Sequence, residues 1–157
     1  MGSGQCDAEI SRIAESVGRG VADHGAVLIC GGGGGVMEAA ARGAAEAGGL
    51  VVGILPDDNE AKANRWIELP IVTGMGNARN AINVLTAHAI IAIAGGAGTL
   101  SEIALAIKVG TPVVGLQTWD AVRDGNRYSK PDYQAVATAE NAVQLALSLA
   151  KGRRASS

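Results

Sequence analysis

Apolar positions along the chain follow two patterns that alternate. The first is a short unbroken run bounded by glycine or polar residues. It recurs at residues 26–30 (AVLIC), 50–55 (LVVGIL), 89–93 (AIIAI) and 112–116 (PVVGL). Runs of this length, rich in Val and Ile, predict strands buried on both faces of a parallel sheet. The second pattern is a stripe at helical spacing. Ile10, Ile13, Ala14, Val17 and Val21 form one stripe, and Met37, Ala40, Ala41 and Ala44 another. Ala78, Ala81, Ile82 and Leu85 follow, then Leu100, Ile103, Ala104 and Ile107, and last Val143, Ala146 and Leu147. Each stripe predicts a helix with one buried face.

The punctuation fits these elements. Asp7 is an N-cap for the first helix, Asn77 for the third, and Gly25, Gly48 and Gly110 are helix stops. Residues 69–73 predict a further strand, which Pro70 places at a sheet edge or a strand start. Residues 119–136 read as polar and irregular, a lid or a subunit contact. The last helix covers 139–150, and the tail 151–157 reads as disordered.

Alternating strands and helices define an α/β fold: a doubly wound, mainly parallel sheet with helices on both faces, in a single domain over residues 1–150. Ligands of such sheets sit beyond the carboxyl ends of the strands, where strand order reverses. The first helix begins near Asp7 and leaves no residues for a strand before it. The first strand is therefore expected to be lost or to lie upstream of the numbered start, with Gly2-Ser3-Gly4 as the turn after it.

Composition narrows the picture. Hydrophobic residues make up 48% of the 157, with no Phe, so the core must be built from Ala, Val, Ile and Leu. Side chains this small let helices lie close to the sheet and to each other. The net charge of -2 gives no support to a nucleic-acid partner, which usually leaves a basic patch. There is no 18-residue apolar run and no signal-peptide pattern, so no membrane span and a cytoplasmic location are expected. Cys6 and Cys30 form no CxxC and read as reduced thiols. His24 and His88 stand apart, so no metal site is expected.

Two glycine runs occupy strand-to-helix turns. Gly31, Gly32, Gly33, Gly34 and Gly35 let backbone approach an anion without Cβ interference. The run is not the dinucleotide fingerprint, which needs glycine where Val36 stands, and no Gly-Lys-Ser/Thr follows as in a P-loop. Five glycines in a row exceed what a turn needs. The second run, Gly95-Gly96-Ala97-Gly98, leads into Thr99-Leu100-Ser101-Glu102. Thr99 and Glu102 have capping-box spacing, and Glu102 also suits a carboxylate at the ligand; both readings stay open. Arg79, with Asn77, Asn80 and Asn83, is a polar cluster suited to a phosphate or a heterocycle. Ser3 and Ser101 have no evident base partner, which argues against a nucleophilic triad.

Taken together, GGGGGVMEAAARGA (31–44), LVVGILP (50–56), GNARN (76–80) and AGGAGTLSE (94–102) resemble the LOG-type proteins of the Rossmann-like superfamily. Within it, the chain looks closest to the branch of molybdenum cofactor carrier proteins. The resemblance covers roughly residues 26–116 and 2–6. It implies a ligand cleft formed by Gly2, Ser3, Gly32, Gly33, Gly34, Gly35, Asn77, Arg79 and Asn80. Gly95, Gly96, Gly98 and Thr99 would hold a phosphate. In the hydrolytic members a glutamate at the Glu102 position supports departure of a base from a ribose 5′-monophosphate, and Arg79 would position that substrate. Ala94 stands where their motif has proline, and Asn80 where they carry lysine. Two functions follow from the resemblance. One is a binding protein for a phosphorylated nucleotide-like or pterin-like molecule, such as molybdenum cofactor, with no resident cofactor required. The other is a phosphoribohydrolase releasing free base and ribose 5-phosphate from a nucleoside 5′-monophosphate. A homodimer or homotetramer is implied in either case.

Overall fold

A computed structural model describes residues 1–119 and 133–155. In chain order the elements are α1 (Ala8–Asp23), β1 (Leu28–Cys30), α2 (Val36–Glu46), β2 (Val51–Leu55), β3 (Leu69–Val72), a 3-10 turn (Gly76–Arg79), α3 (Asn80–Thr86), β4 (Ile90–Ile93), α4 (Ala97–Val109), β5 (Val113–Leu116), β6 (Tyr133–Val136) and α5 (Ala139–Ala155). All strand pairs are parallel. The strands form two sheets, ordered β1-β2-β3 and β4-β5-β6. Strand order therefore runs outward from the junction of β1 and β4, the topological switch of a doubly wound fold.

That junction is filled by the start of the chain. Gly2 makes a parallel bridge with Ile93. The Ile93 N–H donates to the Met1 carbonyl at 3.0 Å, and the Val36 N–H donates to the Ser3 carbonyl at 3.0 Å. A Cβ on Gly2 would overlap the Val36 side chain. Met1 and Gly2 run beside β4 as a single bridge and not as a strand, and the strands form two three-stranded sheets where one sheet was expected.

The alternation of side chains across β4 and β5 builds both layers of core. Ile90, Ala92 and Val113 point to one side and pack with Val84 of α3 and with Ile103 and Ala106 of α4. Ile93, Val114 and Leu116 point to the other and pack with Ala14 and Val17 of α1, Val36 and Ala39 of α2, and Ala142 and Val143 of α5. Helices therefore cover both faces. Each such Val, Leu or Ile contributes about 1.5–3 kcal/mol when fully buried.

Helices α1 and α2 touch backbone to backbone. A Cβ on Gly18 would run into the Ala40 carbonyl, and one on Gly43 into the Glu15 carbonyl. The half-exposed Arg42–Glu15 ion pair sits at the same contact.

Three boundaries differ from the sequence reading. β6 pairs with β5 inside the stretch expected to be irregular. Pro131-Asp132 precede its four residues, YQAV, but a run this short within a polar stretch reads weakly as a strand. The lid reading otherwise falls on residues 120–132, outside the described residues. α5 continues through Ala155 and not to residue 150, so most of the expected tail is helical. Arg153 reaches the Ala87 carbonyl at 3.4 Å and the Thr111 hydroxyl, which ties down the last turns. β3 lies at a sheet edge, as Pro70 implies. Among the described residues, no helix is long and apolar enough to cross a membrane.

Gly43→Ala tests the helix contact. Better helix propensity favours the variant by about 1 kcal/mol. Overpacking against backbone typically costs about 1–3 kcal/mol, and a rigid carbonyl leaves little room to relax, so net destabilisation is expected. Equal or higher stability in chemical denaturation would show that α1 and α2 are not in backbone contact.

Candidate functional site

Three turns meet at the carboxyl ends of neighbouring strands. Residues 31–35 follow β1, residues 94–96 follow β4, and Ser3-Gly4 follow the Met1–Gly2 stub. Gly35, with φ of 60°, is the N-cap of α2, and Gly96 is the N-cap of α4. Neither helix start receives a side-chain cap. By contrast, α1 is capped by Asp7, whose carboxylate accepts the Ile10 N–H at 2.8 Å. α1 also starts beside the rim, three residues after Gly4, but a side chain already caps it; at α2 only the Val36 N–H is taken, by the Ser3 carbonyl. Unpaired N–H groups and the positive dipole end make such starts receptive to an anion.

Not every rim glycine is there for a ligand. A Cβ on Gly31 would strike the Arg79 guanidinium, one on Gly32 Leu55, and one on Gly35 the backbone of Ser3, Gly4 and Gln5. These three glycines are explained by packing, which removes much of the force of the argument from five in a row. At Gly33 only the flexible end of Met37 intervenes, and at Gly34 the nearest atom is at an ordinary 3.4 Å. At Gly96 and Gly98 a Cβ would meet nothing within 4 Å. Gly98 lies inside α4, where glycine costs up to about 1 kcal/mol relative to alanine.

Asn64 is a residue the sequence reading missed. Its side-chain amide donates to the Gly32 and Gly33 carbonyls at 3.1 and 2.9 Å, and its own N–H donates to the Gly32 carbonyl at 2.8 Å. It fastens the glycine loop by its carbonyl side. Nothing in the polar loop around it distinguishes this asparagine in sequence.

The capping box does not form. α4 begins at Ala97, three residues earlier than a Thr99 cap requires. Thr99 is instead buried at 3% exposure, packed so closely over Gly95 that a Cβ there would overlap its hydroxyl. Glu102 is also buried, at 7%. It accepts from the Asn83 amide at 3.3 Å and lies 3.9 Å from an Arg79 nitrogen. Arg79 also donates to the Asn80 side-chain carbonyl and to the Gly31 carbonyl, the latter at 3.4 Å. Arg79 Nε and Asn83 Oδ1 are buried without a hydrogen-bond partner among the described residues. The cluster is a largely closed charge pair behind the rim.

Asn77 caps no helix; it lies in the 3-10 turn. Asn77 and Asn80 line a cleft of about 540 Å³ together with Ala97, Gly98 and Ser101, between the starts of α3 and α4. That size suits a small-molecule ligand.

Ala94 has φ of 46°, and Gln117, at the end of the neighbouring strand, has φ of 50°. Proline is locked near −65° and cannot adopt the Ala94 conformation, so Ala94 shapes this turn differently from a motif proline. Cys30 lies under the glycine loop and accepts the Gly32 N–H at 3.4 Å. Burial pushes its thiol up, which keeps it protonated and unreactive.

Parallel strands with helices on both faces define a Rossmann-type α/β domain. The chain belongs to the SLOG cluster4 family, whose model matches residues 1–148. It is 47% identical over 136 residues to an uncharacterized protein of Archaeoglobus fulgidus, spanning 87% of this chain and 89% of that one. Among solved structures it is similar to the molybdenum cofactor binding protein of the phototrophic bacterium Rippkaea orientalis. There the identity is 38% and the TM-score 0.84, over 92% of this chain and 90% of the other. The Moco carrier protein of Chlamydomonas reinhardtii is 35% identical with a TM-score of 0.83, over 95% and 93% of the two chains.

Gly98→Ala is expected to stabilise the fold by up to about 1 kcal/mol in denaturant unfolding, through helix propensity alone. A clear loss of stability would mean that internal packing, and not external space, requires glycine there.

Proposed function

We propose that the chain binds and carries a phosphorylated pterin-like or nucleotide-like molecule, with molybdenum cofactor as the ligand favoured by what its relatives bind. The observation that carries this reading is Gly98. Glycine is costly in a helix, a Cβ there would meet nothing within 4 Å, and the residue lies at a helix start without a side-chain cap, on a cleft of adequate size. Phosphate would sit against the open starts of α2 and α4, near Gly33, Gly34, Gly96 and Gly98. Gly2, Ser3, Gly32, Gly35 and Gly95 shape the backbone behind it. Asn77 and Asn80 offer amides to a heterocycle or a sugar, since an amide both donates and accepts.

The charged cluster favours binding over hydrolysis. Glu102 already accepts from Asn83 and pairs with Arg79, so it is not a free base at the rim. Thr99 is likewise a packing residue here and not a direct phosphate ligand. Arg79 acts on the ligand through the Gly31 carbonyl and Asn80, which it holds in place. We place the protein's work in the cytoplasm and take it to be a homodimer or homotetramer. The exposed apolar residues Leu69, Ile71 and Val72 of edge strand β3 are surfaces that a second copy would cover.

Mass spectrometry of small molecules released from the purified protein is expected to find a pterin, and incubation with AMP is expected to release no adenine. Adenine formed by the wild type and not by Glu102→Gln would establish the hydrolase instead. Gly98→Ala, though more stable, is expected to bind the phosphorylated ligand at least tenfold more weakly in calorimetry; unchanged affinity would remove Gly98 from the site. Light scattering is expected to give twice or four times the chain mass, and a monomer would contradict the assembly.

A further inference from the structure

Trp119 stands at the same rim, just beyond the carboxyl end of β5, and neither the core nor the phosphate cradle accounts for it. Its indole N–H donates to the Gly95 carbonyl at 3.1 Å. Its own carbonyl accepts from the Tyr133 hydroxyl at 2.6 Å. Next to it, the Thr118 hydroxyl donates to the Ala94 carbonyl, and the Ala94 N–H donates to the Leu116 carbonyl at 3.2 Å. Tyr133 reaches this position by crossing Gly115, where a Cβ would overlap its hydroxyl. The tryptophan is therefore fixed through its ring nitrogen and its backbone to the turn that leads into the open start of α4.

It is nevertheless 45% exposed. Aromatic residues are only 3% of the chain, and there are two tryptophans. The other, Trp66, packs beside Val51 and carries the Arg65 guanidinium 4.7 Å from its ring centroid, so its surface is used. A large, immobilised ring left half exposed by the described residues, beside the turn into α4, has the properties of a stacking surface. The two left-handed non-glycine residues, Ala94 and Gln117, lie on either side of the same junction, and backbone strain of this kind concentrates at ligand sites.

We propose that Trp119 is a specificity residue: its indole face stacks on the flat heterocycle of the bound molecule and selects ring-bearing phosphates over ring-free ones. This rests on the binding function proposed above. Tyr133 is a positioning residue for it.

The test is calorimetry on the full chain with two probes, 6-hydroxymethylpterin monophosphate and ribose 5-phosphate. Trp119→Ala is expected to weaken the pterin phosphate roughly tenfold, in line with loss of one stacking partner, and to leave ribose 5-phosphate within about twofold. Trp119→Phe keeps a ring face but loses the Gly95 bond, and is expected to retain most of the pterin affinity. Equal losses for both probes in both variants would make Trp119 a brace of the glycine turn and overturn the proposal. So would unchanged pterin affinity in Trp119→Ala. If ribose 5-phosphate binds too weakly to measure, the contrast between the Phe and Ala variants on the pterin probe decides. A wild type that binds neither probe overturns the binding function itself, and the stacking role with it.

Discussion

Close approach of backbone to backbone is the constraint on which this structure depends. With no Phe and a core of Ala, Val, Ile and Leu, the chain cannot fill wide gaps between layers. It removes the gaps instead. Gly18 and Gly43 bring α1 onto α2, Gly35 brings α2 onto Ser3 and Gly4, and Gly115 makes room for Tyr133. At Gly96 and Gly98 a Cβ would instead meet nothing within 4 Å, space that the ligand proposed above would fill.

This explains which parts of the molecule were legible in its sequence. The strands and helices were, because their periods are strong and their ends are marked: Asp7 does cap α1, and Gly110 does close α4 with a left-handed backbone. The rim was legible as a location, since glycine runs between strand and helix point to the carboxyl edge. The role of each residue was not. Thr99 and Glu102 have the spacing of a capping box, but spacing does not say where a helix begins, and a start three residues earlier turns both side chains inward. Asn64 lies far from Gly32 in sequence, and β6 is a strand only because β5 offers it an edge. These are tertiary facts without a local signal.

The Arg79–Glu102 pair has a consequence for the electrostatics of the rim. Burying both charges is costly, and the attraction between them offsets that cost only with good geometry and further hydrogen bonds. Asn83, Asn80 and the Gly31 carbonyl supply part of them, while Arg79 Nε is left without a partner among the described residues. The pair is close to neutral as a unit, so it neither attracts an anion strongly nor repels one. What remains to hold a phosphate is the backbone: the open starts of α2 and α4, with their fixed partial charges.

A cradle made of peptide dipoles behaves differently from one made of lysines and arginines. Peptide N–H groups do not titrate between pH 5 and 8, so the pH dependence of binding is inherited from the phosphate, whose second ionisation lies near 6. Each helix start contributes on the order of 0.3–1 kcal/mol when exposed and up to about 2 when partly buried. Two of them grip a phosphate only moderately, and the remaining affinity has to come from the rest of the molecule: its ring, its sugar or its amide-reading edge. That division fits the carrier function proposed above, in which a ligand that engages both the dipoles and a second surface is held more tightly than phosphate alone.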